Sequence, residues 1–207
     1  MEEREQESVS ETHSDPMESN APVVIGTLAQ SARWVLATLI VLAGLGLWNL
    51  LPSLHIYVSD LEEIEVIETS EWTDLLEMPT YRLDASVDGN SLMIDGMFYS
   101  KGIGMHAISE IKVKPPSGYT HFVSEIGIDD EVPEDATAEE GHATVRFYVY
   151  GDGVILYESP VVVRQAPPRR IVVDIRGVRD LRLRVDDAGD GINHDHADWG
   201  NARFERR

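Results

Sequence analysis

Apolar and polar side chains alternate along several short segments in the C-terminal two thirds of the chain. In 144–150, for example, Val145, Phe147 and Val149 fall on one side of an extended chain. Alternation with a period of two is typical of antiparallel strands that have one buried and one solvated face. The segments with this pattern are EIKV (110–113), HFVSEIGI (121–128), TVRFYVY (144–150), RIVVDI (170–175) and LRLRV (181–185).

Turn-forming residues separate these segments. The Asp152-Gly153 pair between two apolar runs predicts a β-hairpin, and Pro-Pro-Ser-Gly at 115–118 predicts another turn. A helical turn or two is expected only in the acidic stretch 60–76. We therefore predict an all-β fold, an antiparallel β-sandwich or jelly roll.

A different pattern fills residues 34–54. This run of 21 residues contains no Asp, Glu, Lys or Arg. At ~1.5 Å per residue, a helix of this length crosses a hydrocarbon core of about 30 Å. The run is longer than the apolar region of a signal peptide and has no clear small-residue cleavage site after it, so an uncleaved transmembrane helix is favoured over a cleaved signal.

The residues before this run predict a disordered acidic tail, 1–33, with seven acidic residues against Arg4 and Arg33. Arg33 abuts the apolar run, and no further Lys or Arg occurs until Arg82. The positive-inside rule then puts the tail in the cytoplasm and the C-terminal domain outside the cell membrane. We expect a single-pass membrane protein whose exported part is one domain of about 150 residues.

Charge and composition exclude several classes of protein. The formal net charge is −20, so a phosphate backbone would repel the chain and nucleic acid is not an expected partner. With no cysteine, disulfides, thiolate metal sites and thiol nucleophiles are excluded. Neither a nucleophile elbow nor a P-loop occurs in the sequence.

Four motifs then follow one another with a spacing that resembles one family. They are FYSKGIGMHA (98–107), EIGIDDEV (125–132), VYGDG with LYES (149–159) and DAGDGINHDHADW (187–199). In order and spacing they are similar to the NPCBM domains, carbohydrate-binding module family 51, over residues 56–205. The resemblance implies a galactose-binding-like β-sandwich, found as a module of glycoside hydrolases, that binds galactose-type glycan termini and holds a structural calcium ion.

The segment 186–199 is rich in oxygen ligands of the kind that calcium prefers. Its spacing does not match an EF-hand loop. A solvated acidic loop whose side chains cap turns is the alternative interpretation. The calcium ligands expected are Asp187, Asp190 and Asn193 of this segment, together with Asp130 of the 125–132 motif.

The same segment and the GIGMHA turn supply candidates for sugar contacts. A sugar site needs an apolar plate for the ring and a few fixed donors and acceptors for its hydroxyl groups. Each candidate also has a structural explanation, as a core residue or a buried hydrogen-bonding group. The candidates are His106, His194, Asp195, His196, Asp198 and Trp199.

Enzymatic activity is not expected from these residues. The string His194-Asp195-His196-Ala197-Asp198 resembles the start of a metallo-β-lactamase motif, but Trp199 stands where that family has another histidine. A hydrolytic zinc needs three ligands around an open position. Adjacent carboxylates on the extended segment 129–131 point in opposite directions and do not suit a glycosidase pair.

We therefore predict a membrane-anchored, non-catalytic carbohydrate-binding module that recognises a galactose-type glycan. The alternative is a structural β-sandwich that serves as a scaffold and binds another protein of the cell envelope, without binding sugar.

Overall fold

The computed structural model describes residues 54–69, 73, 75, 79–133 and 143–206. A short 3-10 helix spans Val58–Asp60. The strands, in chain order, are β1 (His55–Tyr57), β2 (Glu65–Glu68), β3 (Tyr81–Leu83), β4 (Leu92–Ile94), β5 (Met97–Tyr99), β6 (Gly102–His106), β7 (Ser109–Val113), β8 (His121–Ile128), β9 (Thr144–Gly151), β10 (Val154–Glu158), β11 (Val162–Val163), β12 (Arg169–Asp174), β13 (Leu181–Asp186) and β14 (His196–Glu205).

The strands of the described residues form two main antiparallel sheets. The first has the order β12-β8-β14-β6-β3, with β1 also paired to β14. The second has the order β10-β9-β13-β7-β2, with β11 also paired to β9. Strands that are neighbours in a sheet are often distant in sequence, as expected for a β-sandwich. The predicted all-β antiparallel sandwich is confirmed.

The core lies between the inner faces of the two sheets. Trp199 on β14 and Phe147 on β9 meet edge to face, with ring centroids 4.9 Å apart. Phe122 on β8 packs against the same indole at 6.0 Å. All three side chains are fully buried. Aromatic contacts of this geometry add to the stability given by buried area, so Trp199 joins one sheet to the other.

The hairpin β4–β5 covers part of the outer face of the first sheet. Its buried side chains Leu92, Ile94 and Tyr99 form a separate apolar cluster. Glycines on the sheet make the close approach possible, since a Cβ at Gly127 would lie 2.2 Å from Ile94 and one at Gly200 2.8 Å from Tyr99. Any side chain at these positions would push the hairpin away from the sheet.

Each alternating segment identified in the sequence forms a strand, and the Asp152-Gly153 turn joins β9 to β10. Both turn residues have positive φ, +49° and +84°, as a two-residue hairpin of this type requires. The acidic stretch 60–76 differs from expectation in part, because Glu65–Glu68 is a strand paired with β7.

One long strand is not predicted by the sequence pattern. Residues 186–199 read as a loop, yet the loop ends at Asp195, and β14 (His196–Glu205) lies between β8 and β6 in the first sheet. Asp198, Gly200 and Asn201 interrupt the apolar alternation of this strand. Gly200 gives the room that Tyr99 of the β4–β5 hairpin occupies, and the buried Asp198 has the Asp129 carboxyl group as its partner.

The predicted tail (1–33) and the predicted transmembrane helix (34–54) lie outside the described residues, apart from Leu54. Among the residues that the structure describes, no helix is long and apolar enough to cross a membrane. The anchor thus stays a prediction of the sequence.

Candidate functional site

A group of polar side chains gathers at one end of the first sheet. We call it the histidine–glutamate cluster. Strand β6 ends here and its antiparallel neighbour β14 begins here, so that His106 is paired in register with His196. The loop that follows β8 brings in a glutamate, and the turn between β3 and β4 brings in three further polar residues. The members of the cluster are Ser86, Asp88, Asn90, His106, Glu131 and His196.

Glu131 is the centre of the cluster. Its Oε1 lies 2.8 Å from Nδ1 of His196, and its Oε2 accepts hydrogen bonds from Ser86 Oγ at 2.5 Å and from Asn90 Nδ2 at 2.9 Å. Burial alone would raise the pKa of Glu131, but these hydrogen bonds outweigh it and lower the pKa to about 2. Glu131 is therefore an ionised acceptor held in a fixed orientation.

The two histidines lie next to each other, with ring centroids 5.2 Å apart. His106 Nδ1 is 2.5 Å from the carbonyl oxygen of Ala107, which can only accept a hydrogen bond. This contact places the proton on Nδ1 and leaves Nε2 with a lone pair. Burial is the main effect on His106, and it lowers the pKa of the imidazole. The ring is thus neutral at pH 7.

Two buried carboxyl groups support the cluster from beneath. Asp129 accepts hydrogen bonds from the backbone amides of Glu131 at 2.7 Å and Met93 at 3.0 Å. Asp198 is fully buried beside it. Burial raises the pKa of Asp198 well above its usual range, and the Asp129 and Glu131 carboxyl groups raise it further. Asp198 is accordingly protonated, which lets two carboxyl groups lie together in the interior.

The structure brings together some of the residues predicted to contact sugar. His106 and His196 both belong to the cluster, and both are partly exposed. His194 lies close enough for its charge to lower the pKa of His106. It is partly exposed and has a positive φ of +62°. These three histidines can be reached by a ligand.

The other three predicted contacts need correction. Asp195, Asp198 and Trp199 are each 0% exposed. Trp199 packs in the core between the sheets and has no free face on which a sugar ring could stack. Asp198 is buried because β14 runs through positions where the sequence indicates a loop. Asp195 is buried at the end of that loop, where it accepts a hydrogen bond from the Thr144 amide. These residues support the site and do not line it.

The sequence interpretation missed most of the cluster. For Glu131 the sequence indicates only that it does not suit a glycosidase pair, and no motif marks the turn residues Ser86, Asp88 and Asn90. The polar string Asp88-Gly89-Asn90 is a turn signal, and no local pattern distinguishes it from other turns. Its position next to Glu131 arises only from the sheet topology.

The predicted calcium ligands separate into two places. Both oxygens of Asp130 accept from hairpin amides, 3.0 Å from Asp95 and 2.7 Å from Gly96. This carboxylate fixes the β4–β5 turn, and it is not part of the loop that carries the other three predicted ligands. Asp187 accepts from the Gly189 amide at 3.1 Å, and Asp190 accepts from the Thr144 hydroxyl at 2.9 Å.

The residues of the 186–195 loop fit a cation. Asp195 Oδ1 accepts from the Thr144 amide, and its buried Oδ2 has no hydrogen-bond partner among the described residues. Burial raises the pKa of Asp195 to about 8, and the negative charges of Asp190, Asp187 and Asp186 contribute to the shift. A buried, unpartnered carboxylate oxygen among other carboxylates is the arrangement that calcium would satisfy.

Comparison with known proteins identifies the family to which this fold belongs. The model of the NPCBM/NEW2 domain family matches residues 55–205. A putative endo-alpha-N-acetylgalactosaminidase of Renibacterium salmoninarum is 33% identical over 153 residues, which cover 74% of this chain and 10% of that protein. The chain thus spans about a tenth of this curated relative.

Two solved structures are similar to the described fold. The second CBM51 domain of Clostridium perfringens ZmpB, in a structure with GlcNAc and INT domains, has a TM-score of 0.59 and 33% identity over 73% of this chain and 31% of that chain. The CBM51 domain of Clostridium perfringens GH95, in complex with methyl-galactose, has a TM-score of 0.58 and 28% identity over 72% of this chain and 99% of that chain.

These matches are to carbohydrate-binding modules, a non-catalytic type of domain, although the relatives that contain them include larger enzymes. The two-sheet fold, the family match and the similar solved modules all indicate the same type of domain. The chain therefore belongs to the NPCBM/NEW2 domain family, and residues 55–205 form a CBM51-like carbohydrate-binding module.

Proposed function

We propose that the histidine–glutamate cluster binds the terminal sugar of a galactose-type glycan. The observation that carries this proposal is the fixed, ionised Glu131 carboxylate next to the partly exposed His196, whose ring lies beside that of His106. The methyl-galactose complex of a similar module supports the choice of sugar class. The module itself performs no chemistry on the glycan.

Each member of the cluster has a role that follows from its geometry. Glu131 accepts hydrogen bonds from sugar hydroxyl groups, and His106 Nε2 accepts another because its lone pair is free. Asn90, which is exposed, can turn its amide toward the same sugar. Selectivity arises because an epimer with one hydroxyl misplaced would leave a desolvated acceptor unpaired, which costs roughly 1–3 kcal/mol.

The test is a calorimetric titration of the full-length chain, in a nonionic detergent, with methyl-galactoside and galactosyl oligosaccharides. Glu131→Gln should weaken binding roughly 10- to 100-fold, since hydrogen bonds to a charged acceptor contribute about 1.5–3 kcal/mol. Glu158→Gln, at an exposed position on β10, is the matched control and should bind like the wild type.

Unchanged affinity in Glu131→Gln would contradict the assignment of this site. A folded wild-type chain that binds no galactosyl glycan would contradict sugar recognition as such. That second outcome would favour the alternative, a β-sandwich scaffold that binds an envelope protein.

We also propose that calcium binds in the 186–195 loop through Asp187, Asp190, Asn193 and Asp195. The bound ion would neutralise these carboxylates and fix the loop that leads into β14. A ligand that binds only the folded state raises the melting temperature by mass action. Calcium should therefore raise the melting temperature and EGTA should lower it, as measured by circular dichroism.

Asp190→Asn should reduce this calcium-dependent shift, whereas Asp130→Asn, which alters the hairpin turn, should leave the shift in place. A melting temperature that does not respond to calcium or to EGTA would argue against the ion.

The sequence further supports a single-pass anchor at 34–54 that holds the module outside the cell membrane. We expect protease added to intact cells to digest the C-terminal module and to leave the 1–33 tail protected. Digestion of the tail with protection of the module would reverse the proposed orientation.

A further inference from the structure

Three potential metal ligands converge within the histidine–glutamate cluster. One ligand atom each from Asp88, Glu131 and His196 lies within 4.8 Å of the other two. His196 Nδ1 is 2.8 Å from Glu131 Oε1 and 3.9 Å from Asp88 Oδ2. In the part of the chain that the structure describes, this is the one such group.

We propose that this group binds a divalent transition-metal ion, with Zn²⁺ as the representative ion. Two ligand atoms at ~2.1 Å from a tetrahedral zinc are about 3.4 Å apart, which falls between the two observed separations. A small shift of the exposed Asp88 toward His196, with a slight lengthening of the Glu131–His196 contact, therefore closes the site. Imidazole nitrogen combined with carboxylate oxygen suits zinc, whereas calcium and magnesium prefer oxygen ligands alone.

The surroundings of the three ligands favour binding. Ser86 and Asn90 hold Glu131 Oε2 and leave Oε1 directed at His196. Such outer partners orient a ligand and reduce the entropy lost when a metal binds. The side chains of Glu131 and His196 are only 6% and 17% exposed, whereas that of Asp88 is 45% exposed, so an ion can enter from the Asp88 side.

His106 adds an independent observation. Its ring lies 5.2 Å from that of His196, and its Nδ1 is occupied by the Ala107 carbonyl. The remaining Nε2 lone pair is the form of imidazole that coordinates zinc. Three protein ligands leave at least one position open, and His106 or water can complete the coordination.

Coordination through His196 Nδ1 requires the tautomer in which the imidazole proton resides on Nε2, because only then does Nδ1 carry a lone pair. The ion would occupy the same side chains that the proposed sugar contacts use. If both proposals hold, zinc and glycan exclude each other. The zinc titration needs no glycan, so its failure and the failure of sugar binding are separate results.

The experiment titrates the full-length chain, in detergent and without glycan, with ZnCl₂ by calorimetry and with Co²⁺ by visible absorption. We expect a site for one Zn²⁺, and a d–d absorption band of Co²⁺ bound to nitrogen. Asp88→Asn and His196→Gln should each weaken this site by at least about tenfold.

His121→Ala is the matched control. His121 begins β8, at the opposite end of the strand from the loop that carries Glu131, and should not affect this site. Asp88→Asn keeps the test informative if a histidine variant fails to fold, because Asp88 is an exposed turn residue. Absence of zinc binding would overturn the proposal. Zinc binding that is unchanged in Asp88→Asn, or that is lost in His121→Ala, would overturn it as well.

Discussion

Replacing Trp199 by alanine should lower the free energy of unfolding by about 3–5 kcal/mol, the usual range for removing a fully buried tryptophan. The indole is 0% exposed and contacts Phe147 on the opposite sheet and Phe122 on its own. Alanine would leave a cavity between the two sheets at a point where they are joined. Chemical denaturation followed by circular dichroism measures the loss.

Two further variants make this result specific. Trp199→Phe keeps an aromatic ring between the sheets and should be less destabilising than the alanine variant. Phe98→Ala removes an aromatic side chain that is 63% exposed and should change stability by less than about 0.5 kcal/mol. A Trp199→Ala protein of normal stability that no longer binds glycan would show instead that the indole contacts sugar.

Replacing Asp198 by asparagine should make the module more stable at pH 7. The pKa of Asp198 is raised in the folded state, so the folded state holds this proton more tightly than the unfolded state does. The resulting contribution to stability is fully present below the unfolded-state pKa. That contribution is lost as the pH rises through the folded-state pKa. An asparagine amide is neutral at every pH and can still donate a hydrogen bond to Asp129.

The difference in unfolding free energy between Asp198→Asn and wild type should therefore be small at pH 4 and should grow in favour of the variant as the pH rises to 7. Denaturant titrations in EDTA at several pH values measure it. Glu158→Gln, at an exposed site on β10, is the control and should follow the wild-type pH profile. A variant that is less stable than wild type at pH 7 would show that Asp198 is ionised in the fold.

The strands were predictable where apolar alternation is uninterrupted. Segments such as 144–150 and 181–185 carry the pattern within a single strand, because side chains on a strand point alternately to the two faces. Strand β14 was not predictable in this way, since Asp198 and Gly200 break the pattern. Their burial is compatible with a strand only because β4–β5 and the 129–131 loop cover that face.

The candidate site was predictable only where a local motif marks its residues. His106 and His196 lie in motifs that mark the family, and they are now seen side by side. Their partner Glu131 and the turn residues 86–90 are distant in sequence from both histidines. Only the pairing of β6, β14 and β8 brings His106 beside His196 and Glu131 within hydrogen-bonding distance of His196.

The sequence by itself determined the all-β class, the family, the acidic charge and the expectation of a membrane-spanning segment, because each of these depends on local composition or on motif order. The tertiary structure decided which polar residues can meet a ligand. It placed Trp199 and Asp198 in the interior and Glu131 beside His196, because burial and contact are set by how strands far apart in the chain pack together.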